Sequence, residues 1–261
     1  MYVDCRFGQL HVHTAFPSNG GFDELVPLVC IHPSPLTGRV FRRLLAELGQ
    51  DRSVYAPDLP GHGESDSPEV APAVAEYAAA VGDLIDTLRL RQVDLLGHQT
   101  GSLVAADLAA SRPGQVRRVV LAGVPVFDAK EREAFHRHPW PAPAREDGTH
   151  LVEEWQRIRR WRAQAAPARR IGQALAGGLQ AGDAASWGTA AAADYSAGER
   201  LPLVHQPVLV LRSKDEFWDM TPRADALLPE ARRVDLPEQD AGLLDAGVHE
   251  VVRYAREFLD R

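Results

Sequence analysis

Apolar positions recur along this chain in two rhythms, and the switches between them outline a succession of strands and helices. In "GQLHVHTAF" (8–16) apolar and polar residues alternate, the period of a half-buried strand. "LVPLVCIH" (25–32) is a short continuous apolar run, as expected of a strand covered on both faces. "RVFRRLLAELG" (39–49) changes to helical spacing and closes on Gly49, a helix-end signal. "RSVYAPDLPGHGESDSP" (52–68) is a strand running into a Gly/Pro-rich loop. Helix, strand, helix and strand follow in "VAEYAAAVGDLIDTLRL" (74–90), "VDLLG" (93–97), "GSLVAADLAASRP" (101–113) and "VRRVVLAGV" (116–124). Beyond residue 200, "PVLVLRS" gives a strand, "LLPEARRVDLP" a helix passing into a strand, and "GVHEVVRYAREFLDR" a terminal helix. Such alternation predicts a mostly parallel, doubly wound sheet with helices on both faces.

The stretch from 126 to about 200 breaks the rhythm. It has no strand signal and alternates Ala-rich helical patches with Gly/Pro breaks. Four of the chain's five tryptophans lie there: Trp140, Trp155, Trp161 and Trp187. Helices inserted between two strands of a doubly wound sheet are expected to cover its carboxyl edge, where such sheets bind ligands. The expected division is therefore a core of 1–125 and 201–261 with a helical cap at 126–200.

Composition narrows the function classes. The 261 residues are 45% apolar and 25% charged, with a formal charge of −7. With no sustained Lys/Arg run, that charge argues against a nucleic-acid partner. There is no apolar run long enough for a membrane span and no charged-then-apolar leader, so a cytoplasmic location with no membrane partner is expected. Cys5 and Cys30 give neither a disulfide framework nor a metal spacing, and both are expected as buried thiols. No cofactor or metal is implied, and the oligomeric state is left open.

The candidate chemistry centres on Gly97-His98-Gln99-Thr100-Gly101. This window has the form of the strand-to-helix turn that presents a nucleophilic serine in G-x-S-x-G enzymes, with an amide at the apex instead. Taken with "VCIHPSPLTGRVFRRLL", "VYAPDLPGHGESDSP", "PVLVLRSKDEFW" and "RRVDLPEQDAGLLDAG", in that order, it resembles the α/β-hydrolase fold superfamily over nearly the whole chain. The resemblance implies the α/β-hydrolase fold and places the family's acid on Asp215. It puts Gln99 where the nucleophilic serine stands, Ala241 where the histidine stands, and Pro33 in place of the glycine of the His-Gly loop. A relay that needs serine and histidine is then broken, and ester hydrolysis through an acyl-enzyme is not expected.

Substitutes are unattractive. Ser102 lies inside the helix as a packing residue, His249 falls on the polar face of the last helix, and His98, preceding the apex, is expected to face away from the pocket. What the resemblance preserves is an oxyanion-type site. The N–H groups of Thr100 and Ser34 would be the donors, aided by the Gln99 amide and the helix dipole. Gln99 and Asp215 are thus the catalytic candidates. His32, Ser34, Thr100, Trp140, Trp155 and Tyr195 are the expected oxyanion and substrate-binding residues. The leading expectation is a non-hydrolytic enzyme that polarises a carbonyl of an apolar, conjugated, polyketide-like small molecule for carbon–carbon bond formation or cyclisation. Two alternatives stand beside it: a ligand-binding pseudo-hydrolase, and a hydrolase or lyase with a rearranged set using Asp215, His150 or Tyr195.

Overall fold

A computed structural model describes residues 1–18, 24–162 and 167–261. Its eight strands form one sheet in the order β1-β2-β4-β3-β5-β6-β7-β8. They are β1 (Tyr2–Cys5), β2 (Gly8–Ala15), β3 (Leu28–Ile31), β4 (Val54–Pro57), β5 (Val93–His98), β6 (Val116–Ala122), β7 (Val208–Ser213) and β8 (Ala231–Leu236). β1 pairs antiparallel with β2, and β2 antiparallel with β4; every pairing from β4 to β8 is parallel. This is the α/β-hydrolase fold that the sequence motifs imply. Strand β1, hidden in four residues, is the element the periodicity does not announce. Cys30 is buried as expected, while Cys5 at the end of β1 is only half-buried.

The central strands are apolar throughout because both their faces are covered. Along β5, Leu95 joins the core beneath α2 (Val74–Thr87) and α3 (Thr100–Ser111), whereas Leu96 joins the core beneath α1 (Arg42–Leu48) and the terminal helix. β6 and β7 divide in the same way, Val119, Leu121, Val208 and Val210 to one side, Val120, Ala122, Leu209 and Leu211 to the other. Alternation along each strand thus separates two cores and fixes register, since a one-residue slip would exchange them.

Between β6 and β7 the described chain contains helices and no strand: α4 (Ala129–Arg137), α5 (Thr149–Arg160), α6 (Ala168–Gln180), α7 (Trp187–Ala193) and α8 (Ala197–Arg200). The last helix, α9 (Val248–Leu259), buries Val248, Val251, Val252, Ala255 and Leu259 on one stripe and leaves His249 exposed, as its spacing predicts. No helix among the described residues is long and apolar enough to cross a membrane.

The loop after β4 is pinned by Asp58. Its carboxylate accepts the N–H of Gly38 at 2.7 Å and of Glu64 at 3.1 Å, and meets His11 Nδ1 at 3.0 Å and His13 Nε2 at 3.4 Å. Burial pushes this carboxyl up, but the histidines and backbone donors outweigh it and hold it well below the usual carboxylate range.

The passage from β5 into α3 leaves no room for side chains at two positions. A Cβ on Gly97 would lie 2.4 Å from the Gly101 carbonyl oxygen; one on Gly101 would lie 2.2 Å from the Ile31 oxygen and 2.6 Å from the His32 oxygen. Both obstacles are backbone, so neither can swing aside. Gly101→Ala is therefore expected to cost about 1–3 kcal/mol or more, as overpacking of a dense core does, read as a lowered denaturation midpoint. An unchanged midpoint would show that α3 is free to retreat from β3.

Candidate active site

The turn is built on Gln99, which adopts φ 50° and ψ −116°, a conformation held against the steric preference of a residue with a Cβ. It is held by its own N–H, donated to the Ala122 carbonyl at 2.8 Å, and by its carbonyl, which accepts the Ser102 N–H at 2.8 Å. Ser102 is the packing serine expected: it is fully buried, and its hydroxyl donates to the Gly97 carbonyl at 3.0 Å. The strained apex aims the Gln99 side chain off the sheet end.

There Gln99 meets Asp215. The amide Nε2 donates to Asp215 Oδ2 at 3.0 Å; the same oxygen accepts the Ser213 hydroxyl at 3.1 Å, and Oδ1 accepts the Phe217 N–H at 2.9 Å. Burial raises the Asp215 carboxyl, and the Gln99, Phe217 and Ser213 donors oppose that rise. Asp215 is 1% exposed and lies behind Gln99. The pairing commits one N–H of the amide to Asp215, so Gln99 keeps its carbonyl oxygen and its second N–H for anything above it.

In front of Gln99 is a chamber of about 60 Å³, lined among others by Pro33, His98, Arg157, Trp161, Glu216 and Ala241. Helices α5 and α6 supply one wall through Glu154, Ile158 and Ala174, the strand ends the other. The volume suits a head group of a few atoms.

His98 belongs to this chamber, contrary to the expectation that it turns away. Its Nδ1 lies 2.9 Å from the Ala122 carbonyl oxygen. A carbonyl only accepts, so Nδ1 carries the proton and Nε2 is left with its lone pair. Nε2 has no hydrogen-bond partner among the described residues, yet it is not sealed off, and the residue lines the chamber. Burial pushes the imidazole down to about 4, so it is neutral at pH 7.

Glu216, adjacent to Asp215 in sequence, faces the same space. Burial and the neighbouring Asp215 carboxylate push its carboxyl up, while Arg157 and His98 pull against them. Arg157 reaches Glu216 at 3.4 Å and grips Glu154 with two hydrogen bonds of 2.8 and 2.7 Å. Arg162, on the same wall, is half-buried, and burial lowers its guanidinium. Glu216, Arg157 and Arg162 were not singled out from the sequence; the one available signal was the run of Lys214-Asp215-Glu216 at a strand end.

Several expected residues serve elsewhere. Ser34 lines the chamber, but its N–H, expected to stabilise an oxyanion, donates to Thr100 Oγ1 at 2.7 Å. That bond braces the loop after β3 against the start of α3 and removes one of the two expected donors; Thr100 itself begins α3. His32 is architectural, its Nε2 accepting the Leu59 N–H at 2.8 Å and its Nδ1 facing the Pro33 carbonyl at 3.0 Å. Trp140 does not line the chamber; it carries the Arg157 guanidinium 4.7 Å from its ring and packs on Phe135 and Phe217. Trp155 faces Gly172 of α6, and the ring that does line the chamber is Trp161. Tyr195 is removed from it altogether: its hydroxyl donates to Asp107 at 3.1 Å beside Arg200 and Trp187. His150 is bound by the Arg145 N–H at the surface.

This fold and this strand-end turn are those of the alpha/beta hydrolase family, whose model matches residues 28–261, and the chain belongs to that family. Among curated relatives it is similar to 2-hydroxymuconate semialdehyde hydrolase of Pseudomonas sp. (strain CF600), with 37% identity over 115 residues covering 41% of this chain and 38% of that protein. An uncharacterised protein of Mycobacterium tuberculosis is 42% identical over 76 residues, covering 29% of this chain and 22% of its own. The chain thus spans well under half the length of these relatives. In three dimensions it resembles a hydrolase from Pseudomonas aeruginosa PA01 at a TM-score of 0.83 and 20% identity, covering 100% of this chain and 98% of that one.

The Gln99–Asp215 bond has a measurable consequence. Gln99→Ala removes a donor from a buried carboxyl already pushed up by burial, so it is expected to cost about 1–3 kcal/mol at neutral pH. As pH falls below the raised folded value the folded carboxyl takes up its proton with or without Gln99, the unfolded chain being the same in both, and the loss shrinks. Denaturation at pH 7 and pH 4 checks this; an equal loss at both would mean that the ionised carboxylate does not depend on Gln99.

Proposed function

We propose that the chain is an enzyme that transfers a proton at or beside the carbonyl group of a small molecule, without a covalent acyl-enzyme. The observation that carries this reading is that His98 lines the chamber with its Nε2 unpartnered among the described residues, its tautomer fixed by the Ala122 carbonyl. At the positions where the family's motifs carry serine and histidine, this chain has Gln99 and Ala241, and both line the same chamber. With that relay gone, His98 is the base: neutral at pH 7, held in one orientation, and screened from bulk water. Glu216, whose carboxyl burial and Asp215 push up, faces the same chamber and is the matching acid. Gln99, oriented by Asp215, hydrogen-bonds the substrate. The helices of 126–200 act as a cap that closes the chamber.

Abstraction of a proton beside the carbonyl gives an enolate, the intermediate that carbon–carbon bond formation or cyclisation requires. Polarisation by paired backbone donors is not part of the mechanism, because the Ser34 N–H is committed to Thr100. If His98 instead takes its proton from water, the outcome is hydrolysis, the activity that the curated relative's name states. A second reading, a ligand-binding protein without turnover, is favoured by the Gln99–Asp215 bond, which is satisfied without a substrate.

The reactions are separable. In D₂O with a panel of small keto acids and enolisable esters, exchange at the carbon beside the carbonyl is expected for the native chain, followed by NMR. His98→Gln is expected to slow it by on the order of 100-fold or more, as loss of a general base does. Exchange should be flat above pH 5 and fall as pH drops through about 4, because the base works only unprotonated. Label from ¹⁸O-water in the product would assign hydrolysis. Binding that quenches Trp161, lost in Trp161→Phe, with neither exchange nor label, would make the protein a binder.

A further inference from the structure

The chamber at Gln99 adjoins a second, larger one. The outer space has a volume of about 410 Å³ and shares Pro33, Leu36, His98, Arg162, Ala174 and Ala241 with the inner chamber. The two therefore adjoin along a shared wall, and Gln99 and Glu216 line the smaller one. The outer volume falls in the range of small-molecule sites, roughly 300–1,000 Å³.

Its charge is lopsided. Arg39, Arg42, Arg43, Arg162 and Arg170 all line it, against Asp245 as the single lining carboxylate among the described residues. Asp245 is shared, reaching Arg43 at 3.3 Å and Arg170 at 3.1 Å. Among the described residues Arg39, Arg42 and Arg162 form no ion pair, although Asp240, Asp245 and Glu216 act on Arg162 through space. Residues 163–166, Ala-Gln-Ala-Ala, bring no ionisable group to the adjoining segment. On a chain whose formal charge is −7, so many guanidinium groups around one concavity mark a place where anionic charge is to be supplied from outside. Gln173 and Gln180 of α6 add neutral amides to the same wall.

We propose that the outer chamber is a subsite for a phosphate-type polyanion. The ligand is then a small molecule whose phosphorylated end lodges among Arg39, Arg42, Arg43 and Arg170, and whose carbonyl end reaches Gln99 and His98. A single carboxylate would answer only one of the guanidinium groups in excess, whereas a phosphate or pyrophosphate presents several oxygens to planar forks approaching from different elements. The concave shape excludes a protein or nucleic-acid surface as occupant. The proposal deepens the carbonyl-chemistry reading and rests on it for the position of the reacting end, while the anion subsite itself can be tested without turnover.

Inorganic pyrophosphate is the probe, titrated calorimetrically into the full chain. Saturable one-to-one binding is expected at about 50 mM salt, weakened at least tenfold or so near 500 mM as screening sets in. Arg39→Gln combined with Arg42→Gln, two exposed residues that form no ion pair among the described residues, is expected to lower affinity about tenfold or more, since each removes a charge-assisted contact. Arg170→Gln should do the same, whereas Arg91→Gln on the far side of β5 should leave affinity unchanged. No saturable binding at low salt, equal weakening by the Arg91 variant, or tighter binding of citrate than of pyrophosphate would each overturn the proposal. Pyrophosphate binding retained in a His98→Gln chain that has lost exchange supports the subsite. Exchange of uncharged carbonyl compounds by a chain that does not bind pyrophosphate refutes the subsite alone and leaves the inner-chamber chemistry standing.

Discussion

The first turn of α3 approaches the ends of β3 and β5 so closely that a single carbon atom at Gly101 would strike the Ile31 carbonyl. Everything at the site follows from that contact. With the helix start pressed against the sheet, the chain can leave β5 only through a sharp reversal, and the residue at the reversal takes a positive φ. Gln99 accepts that strain because its backbone N–H and carbonyl are both bonded across the turn. The amide is then delivered to one spot, the Asp215 carboxylate. A less crowded junction would let the glutamine relax and the pairing disperse.

The electrostatics of the chamber are those of compensation under burial. Asp215 and Glu216 are consecutive carboxyls in a dry place; burial raises both, and the Asp215 carboxylate adds to the rise at Glu216. Arg157 tempers this from one side, and it is itself clasped by Glu154 and backed by the ring of Trp140. A tryptophan outside the chamber thus governs charge inside it. Remote aromatic residues of this kind act through the cation they steady, so their absence from the lining says little about their influence.

The fold was legible in the sequence because its signals are local and redundant. Apolar runs bounded by glycine and proline mark β3 to β8, and glycines spaced four apart mark the tight junction at β5. The site was legible only in part. Gln99 and Asp215 could be found from chain order, and the structure joins them. The burial of Ser102 and the exposure of His249 also follow from position on a helix. His98 was misjudged because alternation along a strand says which face a residue takes but not what happens at the last residue, where the sheet ends and both faces open on the cavity. Ser34 was misjudged because a backbone donor's partner, here the Thr100 hydroxyl, is a tertiary fact. Tyr195 and Trp140 sit in the helical segment between β6 and β7, where the sequence shows aromatic content without direction. Glu216, Arg157 and Arg162 come together from segments about sixty residues apart, and no periodicity links them.

The Ala122 carbonyl receives the Gln99 N–H and the His98 ring nitrogen, with the Ser102 hydroxyl at the edge of its reach at 3.5 Å. Because the acceptor is main chain, the state of the imidazole is written into strand register and not into the identity of any neighbouring side chain. Substitutions along β6 can alter packing without disturbing which ring nitrogen holds the proton. Sequence drift in that strand is therefore buffered at the histidine, and only a change that slides β6 against β5 would reach it.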